Sequence, residues 1–402
     1  MRAFKKVLAA TVLLVCFGYG VIVGAYKWFP FNLISNIKRE VSSFIDVKPN
    51  LDKEANIAPK AGYWNVFNSK APTSSISKEK LNNFVFSWTQ INDSNIIKTA
   101  AIKYENNNIL FINQDDFEIL SSFGLTSENI TKNGGVKSVF EFNKKTIAYI
   151  AYIKNNCASA ELVSLTSKKV LFDLGCIDPT NADLNGVGGG HLILNDHEFL
   201  LTTGTPTTSH VDNAINQNAQ DDQSYWGKIL KFEEIGDSFN VSIYSKGHRN
   251  PQGIFASKGK VYSVEHGPRG GDEINEIIEG NNYGWPNQSF GSEYDLKMIN
   301  KSFEGIQNYM DPLYVFLPSI GISHINECPK EYAAFYKPYD CLAVSSMKAG
   351  SIFFIVFTNN KVLFSERIDL GSRIRKFVVA ENKIVAVTDH KGVIVGEIKP
   401  LK

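Results

Sequence analysis

Gly247-His248-Arg249-Asn250-Pro251-Gln252-Gly253, followed by Glu265-His266-Gly267-Pro268-Arg269-Gly270-Gly271-Asp272-Glu273-Ile274-Asn275 and by Asn282-Tyr283-Gly284-Trp285-Pro286, is the stretch that sets the fold. Charged, amide and imidazole side chains crowd between glycines where a sheet protein ordinarily places apolar residues. Between the first two clusters runs the β-like segment Gly259-Lys260-Val261-Tyr262-Ser263-Val264. Short strands with Gly-rich, polar ends predict a site built on the strand ends of one face, since connecting segments carry function on a rigid β scaffold.

Outward from this block the same rhythm holds in both directions. Apolar or alternating runs such as 97–104, 108–113, 138–153 and 160–165 precede it, and 350–358, 361–368, 374–380, 383–388 and 392–398 follow it, separated by turns rich in Gly, Asn, Asp and Lys. No segment sustains helical periodicity over about fifteen residues. Many short strands over most of a 402-residue chain favour an all-β propeller over a barrel or a sandwich. No repeat of blade length is visible, so periodicity leaves the number of blades open.

The remaining features bear on location. A formal charge of +1 gives no global electrostatic case for nucleic acid. Residues 1–6 are basic, and residues 7–26 are largely apolar with no acidic or basic side chain. Such a run is long enough for a membrane helix, and the preceding cations orient it with residues 1–6 in the cytoplasm. A transmembrane anchor over 7–26 is therefore expected, with a cleaved signal peptide as the alternative. The stretch 27–80, interrupted by Pro30, Pro49, Pro59 and Pro72, reads as a juxtamembrane linker, and 81–402 as the β-propeller, exposed to the periplasm or the extracellular space. Outside the apolar run, Cys157 and Cys176 form one near pair and Cys328 and Cys341 another, which suggests two local disulfides in an oxidising compartment; four unrelated buried thiols are the alternative.

In this order, and within forty residues, the three quoted blocks resemble the soluble glucose/sorbosone dehydrogenase family, six-bladed β-propellers that use pyrroloquinoline quinone (PQQ) and Ca²⁺. The resemblance implies six blades here. It also implies that Arg249 and Asn250, of the family's Arg-Asn-x-Gln-Gly motif, contact the cofactor, as does Lys348 in Ser345-Ser346-Met347-Lys348-Ala349-Gly350. Ser372-Arg373-Ile374-Arg375 is similar to the family's Arg-x-Arg strand. Arg373 and Arg375 share one face of a strand, and their planar forks suit the carboxylates of PQQ. By the same resemblance the carbonyls of Gly267 and Pro268 bind the catalytic Ca²⁺, and Glu273 with the backbone of Tyr283 holds a second, structural one.

The substrate side departs from the family. Gly186-Val187-Gly188-Gly189-Gly190-His191-Leu192 is similar to the family's His-x-Gly-Gly-Arg-Leu segment, whose first His is the catalytic base. With the glycines and Leu192 aligned, Val187 falls on the base and His191 on the Arg. Asn133 stands in place of a substrate-side glutamine. His191 is then the first alternative base; His248 and His266 reach the pocket by position, and His210, His324 and His390 have no motif around them.

The leading expectation is an exported quinoprotein sugar dehydrogenase. It oxidises an aldose or related alcohol with hydride transfer to PQQ and passes electrons to an external acceptor. The alternative is a catalytically degenerate propeller that binds a glycan or a protein through the same pocket mouth. A lactonase-like hydrolase on a calcium propeller lacks the several metal-directed carboxylates it needs.

Overall fold

The computed structural model describes residues 60–67, 76–208, 210–236, 238–299, 309–359, 361–389 and 392–401. Their strands form six antiparallel sheets. The innermost strand of each is Thr99–Glu105 (blade I), Gly135–Phe142 (II), Gly188–Ile193 (III), Pro251–Ser257 (IV), Ile322–Glu327 (V) and Ile374–Ala380 (VI). Each inner strand packs beside the next, and blade VI packs beside blade I, so the ring is closed and the expected six-bladed propeller is present. The described helices, such as Phe117–Ser122 and Lys330–Phe335, are short and lie in connections.

Closure joins the two ends of the propeller. In blade VI the C-terminal strand Gly392–Pro400 pairs antiparallel with Phe84–Ile91, which in turn carries Ser77–Lys80 at the edge. Phe84 and Phe86, both fully buried, pack into one apolar cluster with Tyr332, Phe354, Phe377 and Ile394. Lys60–Ala61 and Trp64–Val66 form the outer edge of blade I. The segment expected as linker, 27–80, thus supplies strands to two blades. The expected anchor over 7–26 lies outside the described residues, and among the described residues no helix is long and apolar enough to cross a membrane.

Adjacent blades meet through apolar faces. Between blades II and III, Phe140, Phe142, Tyr149, Phe199, Leu201 and Phe232 form one buried cluster, in which Phe199 and Phe232 stack with centroids 4.8 Å apart. Both expected disulfides are formed: Cys157–Cys176 with Cα atoms 5.4 Å apart and Cys328–Cys341 at 5.7 Å. The first ties the strand Cys157–Ser164 of blade II to the connection that leads into blade III.

Candidate functional site

Blade IV shows why the quoted block makes a site. Pro251–Ser257 pairs with Lys260–Glu265, which pairs with Asp272–Ile277, so the segment entering the first strand and the loop joining the second to the third lie at the same end. There they meet the turn before blade III and the Ser319–Gly321 and Lys348 loops of blade V. Together they enclose a cavity of ≈ 350 Å³ lined by Asp183, Arg249, Asn250, Gly267, Pro268, Asp272 and Lys348, among others.

Two buried carboxylates hold this wall. Glu265 accepts hydrogen bonds from the backbone N–H of Arg249 and from that of Asn250 (3.3 Å), and its other oxygen bonds His248 Nδ1 at 3.0 Å. His248, fully buried, is fixed by Ser245 Oγ at 2.9 Å and stacks on Tyr283, so it supports the wall from behind. Asp272 accepts from Gly267 N (3.2 Å), Gly321 N (2.7 Å) and Ile322 N (3.0 Å), which latches the Gly-Pro turn to blade V. Burial works to raise the Asp272 carboxyl, but the His266 imidazole 3.8 Å away and the Ile322 N–H hold it below the usual range. A Cβ on Gly267 would lie 2.2 Å from the Gly270 and Gly271 carbonyls, so only glycine permits this turn. A Cβ on Gly204 would lie 2.0 Å from the Gly186 carbonyl and 2.7 Å from that of Arg249, so that glycine allows the turns before blades III and IV to close together.

Arg249 spans the cavity wall. Its Nη1 donates to the carbonyls of His266 (3.1 Å) and Gly267 (3.0 Å), and its guanidinium lies 5.3 Å from the Trp285 ring centroid. Its Nε is buried without a partner among the described residues. Asn250 Oδ1 accepts from Gly188 N at 3.3 Å and from Gln252 Nε2 at 2.6 Å. The sequence-predicted Arg249, Asn250, Lys348, Gly267 and Pro268 therefore converge on one cavity although they come from two blades.

The glucose/sorbosone dehydrogenase family model matches residues 130–395. The chain belongs to that family. Curated relatives include quinoprotein glucose dehydrogenase B of Acinetobacter calcoaceticus, 46% identical over 88 residues that cover 19% of this chain and 18% of that protein. An aldose sugar dehydrogenase of Escherichia coli is 28% identical over 210 residues, 46% of this chain and 53% of the relative. The chain thus matches about half or less of the length of these relatives. Among solved structures, the soluble aldose sugar dehydrogenase of Escherichia coli in its apo-form superposes with a TM-score of 0.59 at 20% identity, covering 79% of this chain and 100% of that one.

The other expected positions of this glucose/sorbosone dehydrogenase family member fall outside that cavity. Arg373 and Arg375 do share one face, but both engage Asp389: Arg375 in a bidentate pair with both contacts at 2.9 Å, Arg373 through Nε at 3.3 Å. Burial would raise the Asp389 carboxyl, and the two guanidinium groups, Arg375 foremost, hold it low instead. Arg373 also reaches Met347 Sδ at 3.7 Å, beside Lys348. Glu273 and Tyr283 border a separate small cavity with Glu265 and the backbone of Gly267. Burial first, and then the Glu265 charge, push the Glu273 carboxyl up to about 8. Among the described residues no group of three or more His, Cys, Asp or Glu is arranged to hold a metal, so any cation here depends on backbone oxygens as well.

Two expectations about the base change. Val187 does not face the cavity: its side chain is fully buried with Leu184, Phe199 and Leu201, and its carbonyl accepts from Tyr149 Oη at 3.1 Å. His191 sits farther down the inner strand of blade III, where four residues of strand rise amount to ~13 Å. It lines the axial channel and not the Arg249 cavity. There it hydrogen-bonds Ser138 Oγ at 2.7 Å and stacks on Phe140, and burial, with Lys376 and Lys103 nearby, lowers its pKa to about 3. So weak a base is a poor proton acceptor at neutral pH. Sequence reading missed Asp183, Glu265, Asp272 and Asp389. Nothing in the sequence around them assigns a role, and only the partners they meet in the fold mark them out.

Proposed function

We propose that this protein is an exported, PQQ- and Ca²⁺-dependent dehydrogenase of sugars or related alcohols. The observation that carries the reading is the convergence of Arg249, Asn250, Lys348 and the Gly267-Pro268 turn on one cavity. The residues present fit such a cofactor. Arg249 has an unpartnered buried Nε, Lys348 lines the same space, and the Gly267 turn has no room for a side chain. Arg249 and Lys348 would hold carboxylates, with Arg373 and Arg375 behind them. The Gly267 and Pro268 carbonyls are hard neutral oxygens of the kind calcium accepts, and Glu273, Glu265 and the Tyr283 backbone suit a second ion. When bound, the quinone supplies the hydride acceptor and Ca²⁺ the Lewis acid. Two disulfides and the basic, then apolar N-terminus support export, with electrons leaving to an external acceptor.

The proton acceptor the geometry favours is Asp183. Asp272 has both oxygens engaged in the latch. Asp183 uses only Oδ1, which accepts from Asn133 Nδ2 (3.0 Å) and Asn185 N (3.1 Å), and this leaves Oδ2 without a partner among the described residues on the cavity wall. Asn133, at the family's substrate-side position, thus orients the carboxylate, and Oδ2 takes the hydroxyl proton of the substrate.

The test is to titrate the purified chain with PQQ and Ca²⁺, following the bound quinone's absorbance, and then to assay aldoses. Binding at micromolar PQQ that requires Ca²⁺ is expected, with Asp183→Asn binding normally but turning over ~10²–10⁴-fold more slowly. No calcium-dependent binding overturns the quinoprotein reading and favours the non-catalytic propeller. Normal turnover by Asp183→Asn removes the assigned base alone.

A further inference from the structure

The axis of the propeller holds a second chamber, of ≈ 440 Å³, lined by the inner strands and separate in its lining residues from the Arg249 cavity. A volume of this order is typical of small-molecule sites. Its polar side chains come from five blades: Lys103 from I, Ser138 and Glu141 from II, His191 from III, His324 and Asn326 from V and Lys376 from VI. Lys103 is accounted for, since its Nζ sits 4.6 Å from the Trp64 ring centroid and 3.4 Å from Glu141. Glu141 is itself held by Thr146 at 3.0 and 3.1 Å.

Lys376 is different. It is 9% exposed and makes no hydrogen bond or ion pair with the described residues. Only burial and the like charge of Arg375 act on it, and they lower its pKa to about 8, so it remains largely protonated at neutral pH. A buried ammonium without a counter-charge is costly, and an anion in the chamber offsets that cost. His324 adds a second requirement. One ring nitrogen bonds the Phe377 carbonyl and is therefore a donor, while Nδ1 is buried with no partner among the described residues. Burial keeps the ring uncharged, so Nδ1 offers a lone pair that seeks a hydroxyl.

We infer that the axial chamber binds a small hydroxycarboxylate, with the carboxylate on Lys376 and a hydroxyl donating to His324 Nδ1. The Ser138–His191 pair lies on the same wall and offers further polar contact. The site is independent of PQQ and of the Arg249 cavity.

The test uses the full chain without PQQ and three probes: D-gluconate, acetate and D-glucose. Gluconate is expected to bind, to shift the imidazole proton signals of His191 and His324 in the NMR spectrum, and to outbind both acetate, which has no hydroxyl, and glucose, which has no charge. Lys376→Met is expected to weaken gluconate about ten- to a hundredfold, the usual effect of losing one charge-assisted contact. Lys348→Met, in the other cavity, is expected to bind gluconate as the wild type does. Unmoved His191 and His324 signals on wild-type protein overturn the proposal without recourse to any variant. So do equal binding of acetate or glucose, unchanged affinity in Lys376→Met, or a loss confined to Lys348→Met.

Discussion

Val187 marks the difference between a sequence position and a place in space. Alignment with the family puts it on the catalytic base, yet its side chain belongs to the core between blades II and III. Val187→His should therefore gain no sugar oxidation and should lower stability by ~1–3 kcal/mol, the cost of burying an ill-satisfied polar group. Urea unfolding followed by tryptophan fluorescence measures the loss, and a folded, faster enzyme would refute the placement. Asp389 supports the opposite kind of expectation. Its carboxyl is depressed by Arg375 and Arg373, so it contributes stability that is present above the unfolded value of ~3.9 and lost as pH falls through its lower folded value. Asp389→Asn should cost ~1–3 kcal/mol at pH 7 and progressively less as pH falls below the folded value of the Asp389 carboxyl, as read from the midpoint of thermal unfolding at each pH.

The strands of blade IV were legible in the sequence because its apolar alternation is bounded by glycine and polar clusters, and the site appeared at the strand ends as those clusters required. The edge strands at 60–66 and 77–80 were not, because at two to four residues each they are too short to show an alternating face of their own. They exist because neighbouring strands offer backbone partners. Closure of blade VI rests on one such pairing, in which Gly396 lies opposite Trp88 and a Cβ on it would come within 2.1 Å of the Phe86 ring. Gly396→Val should push that ring out of the core and cost at least the ~1–3 kcal/mol of overpacking. Loss of the closing strand should also show as faster amide exchange across Phe84–Ile91 than across the inner strands of blades II and III.

At the scale of the whole molecule, six sheets bring to one axis groups that are far apart in the chain. The sequence by itself determined the all-β class, the strand-end character of the site, the grouping of Arg249, Asn250 and Lys348 that line one cavity, and two cysteine pairs that do form disulfides. All of these are local: a pattern of alternation, a Gly-Pro turn, a spacing of 19 or 13 residues. Only the tertiary structure decided that Val187 is core, that His191 faces the axial channel, that Arg373 and Arg375 share Asp389, and that Asp183 keeps, among the described residues, one oxygen without a partner on the cavity wall. Apart from the Asp389 contacts, which lie within blade VI, these depend on which blade a side chain meets, and strand period fixes the face a residue takes on its own sheet but not the partner it finds on the next.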